Sequence, residues 1–333
     1  MRDKNDWYNP FDKGSKAYSQ DLKGRNAIDL HTHTLYSDGS LKPSELIDYA
    51  IYKGLRAIAV TDHDTVEGLD EAIEYAADKD IELIPGVELS TEYTDKDIHL
   101  VGLNIDHKAR GFAAYLDEFV ESRDLRNEKM CRLLTEAGMP MTYAELKAEY
   151  PDSVITRGHY ARFMLKKGYT AYLKEAFERY IGDNGPCFVP REKTTAADGV
   201  KLIVEAGGIP ILAHPMLYHM NWDRIQKIVD ELKPVGLMGI EAAYTTNTPA
   251  EERQTREFAE RNGLLISGGS DYHGEAKPLT DLGMGFGSLY VSYDLWPRMR
   301  RAQIERYGVR AGERDIQTDG DMSEAGAFSG EQG

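Results

Sequence analysis

Cysteine is scarce in this chain. Cys131 and Cys187 are the only two among 333 residues, and neither sits in a Cys-x-x-Cys pair. That argues against a disulfide framework and against a zinc–thiolate site. Cys131 falls in an amphipathic helical pattern and reads as a packed small hydrophobe. Long apolar runs are missing too, and none approaches the length that spans a bilayer. The opening stretch, MRDKNDWYNPFDKGSKAYSQ, lacks the apolar core of a signal peptide. A cytoplasmic protein with no membrane partner is the expectation. Positive charge is outweighed, 40 Lys and Arg against 56 Asp and Glu, for a net −16. Duplex DNA is therefore not an expected partner. No internal repeats occur, and nothing marks an obligate protein partner.

Histidine is also sparse, at nine residues, and its placement carries information. In AIDLHTHTLYSDGS, residues 27–40, a short apolar segment runs into His31 and His33, with Asp38 and Gly39 close behind. In an extended chain, residues two apart face the same side. Both imidazoles can therefore address one point.

Apolar runs of strand length recur at 27–30, 55–60, 81–84, 98–103, 209–213, 235–240 and 264–267. Helical patterns separate most of them. One starts at Pro43 and stops at Gly54, and others start at Thr65, Thr194 and Asn247. Such alternation predicts a mostly parallel sheet with helices outside, in α/β fashion. About seven strands suit a barrel better than an open sheet with two edges, although periodicity alone leaves both open. Between 107 and 190 the alternation breaks into an almost wholly helical stretch, read as an insertion and lid. Residues 1–24 form an N-terminal extension without periodicity. The barrel is expected over 25–106 and 191–310. The segment 311–333, with six acids and one base, is expected to be a disordered acidic tail.

Polar residues cluster where the strands stop. The first run leads into His31 and His33, AIAV into His63, ELIPGV into Glu88, IPILA into His214, and LLISGGS into Asp271 and His273. His99 lies in the run at 98–103. In βα-barrels the carboxyl ends of the strands meet on one face, where active sites are built. Counting Asp38, six of the nine histidines and three carboxylates occupy such positions. Burying them together without a cation leaves them poorly compensated. They exceed the four or so ligands of one zinc ion and suit two or three divalent ions. Nitrogen and oxygen donors favour Mn2+, Fe2+, Zn2+ or Mg2+. Glu88, from a middle strand, is the candidate bridge. Asp62, beside His63, is expected to orient a ligand, while His107 and His219 read as ordinary histidines.

DLHTHTLYSDGS, AVTDHDTVEG, PGVELS, HLVGLN, LAHP and GSDYH, in this order, resemble the PHP (polymerase and histidinol phosphatase) domain family of metal-dependent phosphoesterases. The resemblance covers roughly residues 25–290. TRGHYARFMLKKGY and YIGDNGPCFVPR are similar to the insertion of the subgroup acting on nucleotides, including nucleoside 3′,5′-bisphosphate phosphatases. The resemblance implies a distorted (β/α)7 barrel and three metal sites, with Mn2+ as the leading ion. These are His31, His33, Glu88 and Asp271; Glu88, His99 and His214; and Asp38, His63 and His273. It implies catalytic roles for Glu88, Asp271 and His214, with a hydroxide held between metals attacking phosphorus. Arg157 and His159 become candidate phosphate ligands, and Arg191, with Lys193, a candidate pocket residue. Where the family often shows Arg-Pro-His, this chain has Arg157-Gly158-His159.

The expected substrate is a small phosphate ester: a nucleoside 3′,5′-bisphosphate, a nucleoside monophosphate or a short RNA 5′ end. A local excess of base over 157–193, eight Lys and Arg against four Asp and Glu, agrees with an anionic substrate, and equally with a solvated helix face. A cyclic phosphodiester is the alternative. An amidohydrolase and a non-catalytic regulatory domain are more distant ones.

Overall fold

Two strands with only two residues between them set the hand of the sheet's middle. β3 (Glu82–Tyr93) and β4 (Lys96–Leu103) pair antiparallel, from Gly86 opposite Leu103 to Tyr93 opposite Lys96. A connection this short makes a hairpin, whereas parallel neighbours need a long crossover. The computed structural model describes residues 22–94, 96–182, 184–190 and 194–308. Most of the N-terminal extension, the acidic tail, Arg191 and Lys193 lie outside the described residues.

Helices alternate with the remaining strands. β1 (Ile28–Asp29) leads to α1 (Pro43–Lys53), β2 (Ala57–Val60) and α2 (Leu69–Ala76), ahead of the hairpin. After it come α3 (Arg110–Glu136), α4 (Tyr143–Glu149), α5 (Arg157–Lys166) and α6 (Leu173–Ala176), which runs into a π-helical turn at Phe177–Ile181. The chain returns through β5 (Thr194–Thr195), α7 (Ala196–Glu205), β6 (Ile209–Leu212) and α8 (Trp222–Leu232). It ends with β7 (Gly239–Tyr244), α9 (Pro249–Asn262), β8 (Leu265–Gly269) and α10 (Leu295–Tyr307).

The strand order is β1-β2-β3-β4-β6-β7-β8, with β5 beside β3. β4 also runs against β6, and the other neighbours on this path are parallel. The ring closes where β8 meets β1. Leu30 N–H donates to Gly268 O (3.2 Å), Asp271 N–H to His31 O (2.9 Å) and His33 N–H to Tyr272 O (2.9 Å). Gly269 permits that approach, because a Cβ there would lie 2.4 Å from His31 Cβ. The result is a nearly closed seven-stranded barrel.

The outer helices follow ordinary rules. α9 carries a capping box, Thr248 with Glu251, Pro249 in its first turn, and Gly263 in the left-handed region at its end. α8 buries Ile225, Ile228, Val229 and Leu232, one stripe at helical spacing. Among the described residues, no helix is long and apolar enough to cross a membrane.

The helical segment has a core of its own. Met130, Cys131, Leu134, Ile155, Phe163 and Cys187 belong to it, whereas Phe112 and Leu116 pack into the barrel's cluster. The division between the two cores falls inside α3, past the expected start of the insertion at 107. The first turns of α3 serve as a barrel helix, and its later turns carry the insertion.

Candidate metal centre and substrate cavity

The period of an extended chain puts His31 and His33 side by side, their ring centroids 5.2 Å apart. Thr32 between them turns away and donates to Ala59 O (2.6 Å). Asp62 fixes the loop that follows. It accepts from Thr34 N–H (2.7 Å), Thr34 Oγ1 (2.6 Å) and Ser37 Oγ (2.5 Å), and Ser37 Oγ lies 3.4 Å from His33 Nδ1. Asp62 thus orients His33 through Ser37.

Glu88 projects from the middle of β3 rather than its end, and it is buried. Its Oε2 lies 3.0 Å from His31 Nε2, 3.2 Å from His33 Nε2 and 3.2 Å from His63 Nδ1. Its Oε1 lies 2.7 Å from His99 Nδ1 and 2.9 Å from His214 Nε2. Asp271 Oδ1 is 3.1 Å from His33 Nε2, while its Oδ2 accepts from Tyr244 OH (2.7 Å) and Lys277 Nζ (2.6 Å). Asp38 Oδ1 is 3.1 Å from His273 Nε2. The nine side chains, spread from 31 to 273 in sequence, meet in one place. Asp271 (φ 55°) and His214 (φ 25°) hold left-handed backbone to do so, strain of the kind found at functional sites.

These groups fit a metal better than they fit one another. His31 Nε2, His33 Nε2, His63 Nδ1, Asp38 Oδ1 and Glu88 Oε2 are buried and make no hydrogen bond. They stand at ion-pair distances but off hydrogen-bond lines, as donors sharing a central cation do. Three sets have donor atoms all within 4.8 Å of one another: His31, His33, Glu88 and Asp271; His33, Asp38, His63 and His273; and His63, Glu88 and His99. The first set equals one that the resemblance implies. In the others His33 joins Asp38, His63 and His273, and His63 stands with Glu88 and His99, while His214 falls in none of the three.

The electrostatics also call for positive charge. Burial works to lower the pKa of His33, but Asp271 and Glu88 outweigh it and raise it to about 9. Burial is likewise outweighed at His31 by Glu88, Glu241 and Asp271, and its pKa stands well above the usual imidazole value. Burial pushes His63 down to about 3. Burial would raise the Glu88 carboxyl, yet His63, His31 and His99 hold it well below its usual range.

A consequence for pH follows. In the metal-free protein at neutral pH, His31 and His33 carry protons that a cation must displace. Metal affinity is therefore expected to rise with pH from neutrality through about pH 9, where His33 loses its proton unaided, with His31 adding to the rise. Calorimetry at pH 7 in buffers of different ionisation enthalpy should show net proton release on binding. Binding without release would contradict this electrostatic picture.

Glu241 was not among the expected site residues. It sits on β7, buried, 3.2 Å from His31 Nδ1, and it accepts from His214 N–H (2.8 Å). It thereby turns His31 Nε2 toward the cluster. Glu241→Gln is expected to weaken metal binding about 10- to 100-fold, the usual size for such a partner, read by competitive chelator titration. Unchanged affinity would remove Glu241 from this role.

Above the cluster lies a cavity of about 410 Å³, whose lining includes Asp38, His63, His99 and His273. The insertion supplies the opposite wall. Arg123 and Arg126 from α3, Arg157 and Arg162 from α5, and Lys174 from α6 reach it, and Lys277 joins from the barrel. Of these cations the sequence reading had singled out Arg157 alone. Arg123 is buried and pairs with Asp64, which also accepts from Ser90 N–H (2.7 Å) and Ser90 Oγ (2.7 Å), so one carboxylate ties α3 to β3.

The candidate phosphate ligands separate. Arg157 lines the cavity at the start of α5, where Thr156 Oγ1 donates to Asp38 Oδ2 (3.1 Å). A Cβ on Gly158 would meet Asp38 Oδ2 at 3.5 Å, an ordinary contact, so the turn does not require glycine on steric grounds. His159 does not line the cavity. It is buried, its Nδ1 accepts the Thr156 N–H (3.0 Å), and its ring packs on Tyr150 at 4.5 Å. Burial lowers its pKa to about 3. In this structure it serves as a helix cap that fixes the start of α5, while a substrate-ligand role had been expected. Arg191 falls outside the described residues. Tyr272 is fully buried beside Tyr49 and packs rather than facing substrate.

A barrel with a buried His/carboxylate cluster beneath a cationic cavity defines a metal-dependent phosphoesterase. Its relatives agree. The chain is 37% identical over 245 residues to a 5′-3′ exoribonuclease of Haemophilus influenzae, covering 74% of this chain and 89% of that protein. It is 34% identical over 258 residues to a 3′,5′-nucleoside bisphosphate phosphatase of Chromobacterium violaceum, covering 77% of this chain and 90% of that one. Among solved structures, an amidohydrolase from Chromobacterium violaceum with bound sulfate superimposes with a TM-score of 0.74 at 31% identity, over 83% of this chain and 96% of that one. The PHP domain model matches residues 29–182. The chain belongs to the PHP domain family.

Proposed function

We propose that this protein removes phosphate from a nucleotide bearing more than one phosphate, either a nucleoside 3′,5′-bisphosphate or the 5′ end of a short RNA. The observation that carries this reading is the six-cation lining of a cavity whose floor is the His/carboxylate cluster. Arg157 and Arg162 on α5 stand in the wall opposite that floor, where a phosphate other than the reacting one would lie. Relatives that act on bisphosphates and on RNA 5′ ends support the same choice.

The ligands would be His31, His33, Glu88 and Asp271; Glu88, His99 and His214; and Asp38, His63 and His273, holding two or three divalent ions with Mn2+ the leading candidate. Such ions lower the pKa of a coordinated water and neutralise charge on phosphoryl oxygens. Glu88, Asp271 and His214 are the residues we place nearest the chemistry. Arg157 offers two parallel N–H donors matched to phosphate oxygens. Lys277 stays protonated beside Asp271, whose charge overrides burial and raises its pKa, and it adds a fixed cation at the rim. The insertion covers the floor and limits water.

The test is phosphate release from adenosine 3′,5′-bisphosphate, adenosine 5′-monophosphate, a cyclic 2′,3′-phosphate and a 5′-phosphorylated trinucleotide, each with Mn2+ added. The bisphosphate or the RNA end should be the fastest. Preference for the cyclic diester, or for none, would overturn the reading.

A further inference from the structure

The cations do not line the whole cavity. Leu173, Phe177, Phe188 and Val189, all from the insertion, form an apolar wall to it. Phe177 is 37% exposed, so its ring is open to the cavity. It begins the π-helical turn, a rare geometry enriched at functional sites. Backbone bonds hold the two rings' segments together. Gly182 N–H donates to Phe177 O (3.0 Å), Cys187 N–H to Tyr180 O (2.9 Å) and Phe188 N–H to Gly185 O (3.1 Å). The Arg157 guanidinium lies 5.3 Å from the centre of the Phe188 ring. An aromatic surface and an anion ligand are therefore neighbours, as the base and a phosphate of one nucleotide are.

The geometry points to a stacking subsite: Phe177 and Phe188 receive the flat heterocycle of the substrate while Arg157 takes one of its phosphates. This rests on the proposed nucleotide reading and sharpens it, because it makes the base a determinant of binding. Stacking is tolerant of base identity, so the four bases should bind alike.

The test measures binding before turnover. The metal-chelated protein is titrated by calorimetry with adenosine 3′,5′-bisphosphate and with the corresponding abasic ribose bisphosphate. Wild type should bind the nucleotide about tenfold or more tightly, the usual contribution of one stacked base. Phe177→Ala should erase most of that difference while leaving the abasic ligand's affinity unchanged, and Phe188→Ala, which also loses the ring beside Arg157, should shrink the ratio of the two affinities. Phe177→Leu and Phe188→Leu keep apolar bulk and should lose the preference too, whereas Phe188→Tyr should retain it. Equal affinity of wild type for the two ligands, or variants that weaken both equally, would overturn the subsite. If the base preference is present but the Mn2+ protein releases no phosphate from either ligand, the hydrolytic reading fails and the subsite stands.

Discussion

Glu88→Gln is expected to lose metal and turnover together. Five imidazoles, those of His31, His33, His63, His99 and His214, lie within 3.2 Å of its two carboxylate oxygens. An amide keeps the shape but gives up the negative charge and one acceptor. Metal ions supply several kcal/mol of transition-state stabilisation, and each 1.36 kcal/mol is tenfold in rate. A loss of about a thousandfold in kcat is the scale to expect. Metal content by plasma mass spectrometry should fall by at least one ion per chain. Full metal content at full rate would remove Glu88 from the bridging position. A circular dichroism spectrum like that of wild type separates this result from misfolding.

Arg157→Ala is the second large effect. Arg157 stands in the first turn of α5, one residue beyond the Thr156 side chain that bonds Asp38. Its guanidinium lines the cavity and lies 3.9 Å from Asp97 at the rim. A hydrogen bond to a charged group contributes about 1.5–3 kcal/mol, or roughly 10- to 150-fold in kcat/KM. The loss should fall on the bisphosphate and be small on the monophosphate, because the second phosphate is what the clamp holds. Equal losses would move Arg157 to the reacting phosphate, and no loss on either would remove it from the site. Arg157→Lys should recover only part, since an ammonium cannot present the paired donors.

Much of this site was legible because strand ends are punctuated by residue type. Each candidate ligand except Asp38 follows or occupies an apolar run, and barrel topology converts that one-dimensional pattern into one cluster. Glu88 shows where the pattern misled. The apolar run covers 81–84 and ELIPGV runs into Glu88, which places Glu88 at a strand end. The strand in fact continues to Tyr93, with polar side chains buried at the barrel mouth. Glu241 was missed for a related reason. The apolar run at 235–240 drew the strand too early, whereas β7 spans Gly239–Tyr244 and carries Glu241 inside it. A buried carboxylate in a strand is invisible to hydrophobic periodicity, although the rarity of such residues marks them once seen.

The cations of the insertion illustrate a different limit. Arg123 and Arg126 are three apart on α3 and share a face. In sequence they are ordinary charged positions of a helix. They become cavity walls only because the insertion's own core turns that face toward the barrel. His159 was drawn the other way by its neighbour Arg157. Its spacing three residues after Thr156 is that of a cap partner, and the structure uses it so.

The most direct measurement is anomalous diffraction from crystals grown with Mn2+, with data collected on both sides of the manganese edge. Two or three peaks are expected, one between His31, His33, Glu88 and Asp271 and another beside Asp38 and His273. A map with no peak among these residues, in crystals of protein that releases phosphate, would contradict the metal centre on which the proposed chemistry rests.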